Sequence, residues 1–385
     1  MKMLNFKIIF CVAVFMSISQ AWALDPSLKY EEMSSDHFTV VFDAKSYELA
    51  KIYLQEAERA HELLYGHVFS ESPKKTVLVL DNTTDLANGG ATVVPRPMIV
   101  AITNPPTPLQ TIDEYSFWPR DLLVHEYTHV LNMEPSHGAF KPLRSIFGAY
   151  MRPNMLLPHW YLEGLAVEME SHWDENGRLK SPDYDALIRA FYLDGKWGAE
   201  NLSAIGEVST PTWPQGQRPY FYGALLWHDL VEKKGLPVID KLNQRYSERF
   251  PFFITQPMLE QMDKSYEEFL VDVYKRYEVL AKKQIQKIKT QKVTDGRDIP
   301  LEKSVLAHSP EVSPDGKHVT LITDKQGLDT DIYVLNRNDN GEFEAPDKKK
   351  KNFKRIVELG DVNLPLRSSW FPDSTRVVFD GLSMV

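Results

Sequence analysis

Cysteine is nearly missing from this chain. The one cysteine among 385 residues, Cys11, sits inside an apolar run close to the N-terminus. Without others there is no disulfide framework, so stability must come from a packed core, with a bound metal as a further source. Excess positive charge is lacking too. The chain has 53 acidic against 44 basic residues, a net charge of −9. An acidic chain offers no electrostatic footprint for nucleic acid. The basic run "DKKKKNFKR", 347 to 355, is a local exception and reads as a solvated loop.

Long apolar runs are scarce. The main one, Ile8 to Ile18, is too short for a stable membrane span. Lys2 and Lys7 precede it and Ala21-Trp22-Ala23 follows as a small-x-small cleavage site, so residues 1–23 read as a secretory signal peptide. Cys11 lies within the run rather than at the cleavage point, which argues against a lipid-anchored form. Removing residues 1–23 takes the net charge to −11 and leaves no cysteine. The expected location is the bacterial periplasm or exterior, with no membrane span in the mature chain.

A length of 385 residues suggests two or three domains, and 43% hydrophobic with 25% charged residues fits globular units with real cores. "HFTVVF" (37–42), "TVLVLD" (76–81) and "PMIVAI" (97–102) read as strands. Residues 44–66 carry helical spacing and end at Gly66, "NGG" (88–90) reads as a turn, and "TNPPTP" (103–108) as loop. Helical segments then dominate, near 158–172, 183–194, 220–234, 236–248 and 264–289, with "TPTWPQGQRP" (210–219) irregular between them. Trp160, Trp173, Trp197, Trp213 and Trp227 are expected in the core rather than on a substrate platform.

The chemistry concentrates in "DLLVHEYTHVLNMEP", 121 to 135. Residues four apart share one face of a helix, so His125 and His129 can present imidazoles to a single ion. Glu126 flanks that face, within reach of a water on the metal. An amphipathic helix is expected, with Pro119 in its first turn. A catalytic zinc site needs a third protein ligand and an open position. Asn132 and Pro135 exclude the metzincin spacing. His137 and His159 are candidates, and Glu163, in "HWYLEGLAVEME" 34 residues after His129, is the better one.

"HEYTHVL" followed by "PHWYLEGLA" resembles the gluzincin peptidases of the thermolysin-like superfamily, and the likeness extends from "DHFTVVF" and "DLANGGATVVPRPMIVAI" to about residue 290. That resemblance implies one Zn²⁺ per chain held by His125, His129 and Glu163, with Glu126 as general base in peptide hydrolysis. It also implies an oxyanion donor from a later helix, "RPYFYGALLWHDLVEKKG" (218–235), for which Tyr222 is the first choice, Tyr220 the second and His228 a further option. "PMIVAI" would be an edge strand for an extended peptide, although a central strand would read the same way. One position departs from the family: where thermolysin has an aspartate supporting a ligand histidine, this chain has Val167. Glu170 is an alternative support, but its expected place is the surface.

Beyond about residue 290 the pattern changes. "SPDGKHVTLI" (313–322) aligns with "FPDSTRVVFD" (371–380), and the stretch 313–336 resembles TolB-type propeller repeats. One complete repeat and the opening of another cannot close a propeller, so the expectation is an incomplete chain. The expected fold is α+β: a signal peptide over 1–23, a zincin-like peptidase domain with a small sheet and a mainly helical lobe over 24–290, a linker over 291–305, and partial propeller repeats over 306–385. The expected partners are a peptide or protein substrate, and a protein partner through the propeller. The alternative function is a non-catalytic scaffold, against which the intact Glu126 argues. An aminopeptidase would need an acidic anchor for the substrate amine, and no such motif stands out.

Overall fold

The computed structural model describes residues 25–84, 87–106, 115–209, 214–250, 253–292, 296, 306–324, 330–344, 353–357 and 367–379. The signal-peptide reading, most of the 291–305 linker, most of the basic run and Trp213 lie outside the described residues.

Five strands form the first sheet: β1 (Tyr30–Ser34), β2 (Phe38–Asp43), β3 (Thr76–Asp81), β4 (Gly89–Thr92) and β5 (Met98–Ile102). Their spatial order is β1-β2-β3-β5-β4. The three central strands run parallel, with Phe38 opposite Thr76 and Val77 opposite Met98. The outer strands β1 and β4 run antiparallel to their neighbours. "PMIVAI" is therefore internal, and the edge strand on its side of the sheet is Gly89–Thr92, where the glycines suggest only a turn. Two glycines carry little strand propensity, and the pairing of Gly89 with Ala101 supplies what local sequence does not.

Phe38, Val40, Leu78, Leu80, Ile99 and Ala101 are buried in one apolar cluster. Into the same cluster pack helix α1 (Tyr47–Leu64), through Tyr53, Ala57 and Leu64, and helix α2 (Trp118–Met133), through Leu123, Tyr127 and Val130. Pro119 opens α2, and the Trp118 indole N–H donates to the Ile102 carbonyl at 3.3 Å, tying the helix to the end of β5. Every α2 residue except Pro119 and Arg120 is buried. The helix expected to be amphipathic is thus central, covered by β4, β5, α1 and the next long helix.

The lobe that follows is helical: α3 (Phe140–Phe147), α4 (His159–Trp173), α5 (Pro182–Leu193), the single turn α6 (Leu202–Ile205), α7 (Arg218–Lys234), α8 (Pro237–Ser247), α9 (Thr255–Met262) and α10 (Tyr266–Lys289). A capping box of Ser265 and Glu268 starts α10. Trp160 and Trp227 are buried, and Trp173 and Trp197 pack against the core, as expected for structural aromatics. Helices α4 and α7 meet backbone against backbone at Gly164 and Gly223.

The C-terminal part contains a four-stranded antiparallel meander, β6 (Leu306–Val312), β7 (His318–Asp324), β8 (Thr330–Asn336) and β9 (Phe353–Val357), and a hairpin, β10 (Ser368–Trp370) with β11 (Val377–Phe379). Val319, Leu321 and Leu335 form an apolar cluster of their own there. The two turns aligned in sequence share one hydrogen-bonding pattern. In each, a residue at positive φ, Gly316 at 70° and Ser374 at 59°, donates its N–H back three residues, to Ser313 and Phe371. The aspartates match as well: Asp315 accepts from the Lys317 N–H and Asp373 from the Thr375 N–H, each at 3.0 Å.

Candidate metal centre

Helix α2 presents His125 and His129 one turn apart toward α4, and α4 presents Glu163 back toward them. The two imidazole Nε2 atoms are 3.3 Å apart. Glu163 Oε2 lies 3.4 Å from Nε2 of His125 and 3.2 Å from Nε2 of His129. Ligands held at ~2.0–2.2 Å from zinc at tetrahedral angles stand about 3.3 Å apart, so these three atoms fit that ion. Among the described residues they form a group able to hold a metal, with all ligand atoms within 4.8 Å of one another.

His125 is held from behind. Its Nδ1 lies 2.9 Å from Glu170 Oε2, so Nδ1 carries a proton, and Nε2 is the nitrogen that faces Glu163. Glu170 is buried, not on the surface. It lies two turns beyond Glu163 on α4, and it takes the supporting role that Val167 cannot fill. The buried Arg178 donates to both Glu170 oxygens, from Nε at 2.5 Å and Nη2 at 2.7 Å. Nη2 also comes within 3.0 Å of His125 Nδ1, since imidazole and guanidinium converge on the same carboxylate oxygen.

The electrostatics follow from packing several carboxylates out of water. Burial alone would lower the His125 pKa, but hydrogen bonds to Glu163 and Glu170 overcome it and hold it at about 9. Burial would likewise raise Glu163, yet the two histidines keep it well below the ordinary carboxylate range. Arg178 overcomes the burial of Glu170 and holds it at about 2. Glu126 has no such partner; burial drives it upward, against the pull of His125 and His129. A proton on the His125 imidazole and a bound cation would play the same electrostatic role among these carboxylates.

These groups line one cavity of about 630 Å³, which reaches from Ala87–Ala91 of the sheet edge to His159, Leu162 and Tyr220 of the helical lobe. Glu126 lies directly beneath the edge strand. A Cβ on Gly89 would come within 2.8 Å of Glu126 Oε1 and 2.6 Å of the Leu122 side chain, so glycine is what permits the approach. The backbone of β4 thus borders both the cavity and the carboxylate.

The tyrosines reverse the order expected from sequence. Tyr222 does not line the cavity. It is 2% exposed and packs among Phe191, Trp197 and Tyr274. Tyr220 does line it, with its ring nearly parallel to that of His125, 17° at 6.3 Å. Residues two apart on a helix point about 200° apart, so only one of the pair can face the His125, His129 and Glu163 group. Burial and the neighbouring Glu163 carboxylate raise the Tyr220 pKa, leaving it an O–H donor at neutral pH. His228 pairs with Glu168 at 3.1 Å and His137 with Ser247 and Glu71, both outside the metal group. His159, at the start of α4, lines the cavity without joining that group.

Sequence reasoning misses Arg178 and Asp121. Arg178 belongs to no motif, and only the fold of the turn after α4 returns it to the site. Asp121 is one turn before His125, a spacing that marks it by the same rule that pairs His125 with His129. It lines the cavity, and burial together with neighbouring Asp174 holds its carboxyl at about 8.

No family model matches the chain. An uncharacterized protein of Treponema pallidum (strain Nichols) is 27% identical over 198 residues, which is 50% of this chain and 16% of that relative's length. Among solved structures, native yeast LTA4 hydrolase aligns at 15% identity over 63% of this chain and 38% of its own, with a TM-score of 0.38. An aminopeptidase N family protein from Idiomarina loihiensis aligns at 13% identity over 90% of this chain and 70% of its own, also with a TM-score of 0.38.

Proposed function

We propose that this protein is an exported zinc-dependent peptidase that cleaves peptide bonds with Glu126 as general base. The observation that carries the reading is the convergence of His125, His129 and Glu163 at about 3.3 Å beside Glu126, all lining one open cavity. A zinc ion held there by His125, His129 and Glu163 would supply Lewis-acid polarisation and help a water give up a proton near neutral pH. Glu126 accepts that proton and passes it to the leaving amine; its raised pKa suits it to both tasks. Tyr220 donates a hydrogen bond to the carbonyl oxygen as negative charge develops. Among the described residues no strand pairs with the outer side of β4, so an extended peptide can lie along it.

The peptidase unit runs to about residue 290, and the meander and hairpin beyond it are propeller repeats that present a surface to a protein partner. The matched turns at 313–317 and 371–375 support that reading.

The test is Glu126→Gln. Elemental analysis should find about one zinc per chain in both forms, and the variant should lose several orders of magnitude in peptide-library cleavage. Wild type with bound zinc that cleaves nothing in the library would favour the scaffold function instead.

A further inference from the structure

We propose that Arg178 is a positioning residue with two neighbours in its care: it holds Glu170 against His125 and at the same time holds the ring of Tyr220. The inference rests on the metal-centre reading above and extends it to a residue outside the His125, His129 and Glu163 group.

The turn carrying Arg178 is locked to the end of α4. A Cβ on Gly177 would meet Ser171 Cα at 2.5 Å, and the Leu179 N–H donates to Ser171 Oγ at 3.1 Å. That lock sends the Arg178 side chain back beneath the site, where it is 7% exposed. One edge of the guanidinium grips both oxygens of Glu170. Its carbon lies 5.3 Å from the centroid of the Tyr220 ring, in cation–π range. Tyr220 in turn lies nearly parallel to His125, whose Nδ1 is on Glu170. Imidazole, carboxylate, guanidinium and phenol thus close a ring of contacts. Arginine alone can serve both neighbours, because its planar fork grips a carboxylate along an edge while a face remains for an aromatic. Lysine has the charge but neither the fork nor the plane.

The experiment uses the full chain loaded with Co²⁺ and labelled with fluorotyrosine, in wild type, Arg178→Lys, Glu170→Gln and Tyr220→Phe forms. Tyr220→Phe assigns the Tyr220 fluorine resonance. In Arg178→Lys the cobalt absorption band should shift, cobalt should dissociate roughly tenfold faster, and the Tyr220 resonance should move. Glu170→Gln should shift the cobalt band in the same direction. If Arg178→Lys does not fold, the double variant Glu170→Gln/Arg178→Gln removes the buried pair without stranding a charge, and both reporters must still move. A lower melting temperature with either reporter at its wild-type position would make Arg178 a purely structural residue and overturn the inference. Wild type that takes up no cobalt would remove the metal centre, and this inference with it.

Discussion

Gly164 and Gly223 are in backbone contact across the α4–α7 crossing. A Cβ at Gly164 would lie 2.2 Å from the carbonyl carbon of Gly223, and one at Gly223 would lie 2.1 Å from the Trp160 carbonyl oxygen. The contact has a consequence for the site. Glu163 is adjacent to Gly164, and Tyr220 is one turn before Gly223 on the same face of α7. The helix spacing that only two glycines allow is what brings the Glu163 carboxylate and the Tyr220 phenol to one cavity. It also gives the glycine of the "WYLEG" stretch a physical reason.

Gly223→Ala should therefore destabilise the fold by about 3 kcal/mol or more, since the added methyl meets rigid backbone rather than a side chain that can turn away. Chemical denaturation measures this directly. A variant as stable as wild type would show that the two helices can separate freely.

Glu163→Ala should weaken zinc binding by roughly tenfold or more, because it removes one of three converging ligand atoms. Competition with a chromophoric chelator gives the affinity. Unchanged binding would take Glu163 out of the site and bring His159, which lines the same cavity, into consideration.

The two tyrosines should separate cleanly in kinetics. Tyr220→Phe should lower kcat by about 10²-fold with little change in KM, as expected for a donor used mainly in the transition state. Tyr222→Phe should leave kcat near wild type, because that ring is packed in the core. The opposite pattern would mean that α7 is rotated in the working enzyme.

Zinc uptake should release protons. With the metal-free His125 pKa raised to about 9, that imidazole is protonated at neutral pH and must become neutral to bind. Affinity should rise with pH up to about 9, and proton release should fall away above it. Calorimetry in buffers of different ionisation enthalpy counts the protons. Zinc binding at pH 7 with no proton release would show that His125 is already neutral.

Much of the site is legible in the order of residues along the chain. The spacing of His125 and His129 follows from helix geometry, and Pro119, Gly66 and the proline-rich stretches mark where elements begin and end. The alternation in "HFTVVF" and the β-rich run "TVLVLD" identify two strands, and the echo between 313 and 371 anticipates two turns of the same shape. These features depend on residues close together in the chain, whose energetics are local.

Other features are decided only by tertiary packing. The Gly89–Thr92 strand exists because β5 offers it a partner, not because glycine favours extended backbone. Helix α2 is buried on nearly every side because sheet and helices close around it, a condition its own residues do not announce. Which of Tyr220 and Tyr222 faces the cavity depends on the rotation of α7, and Gly223 against Gly164 sets that rotation. Glu170 and Arg178 reach His125 only once α4 and the turn after it are in place. Periodicity along one chain determines which residues share a face; only the packing of elements distant in sequence determines what that face meets.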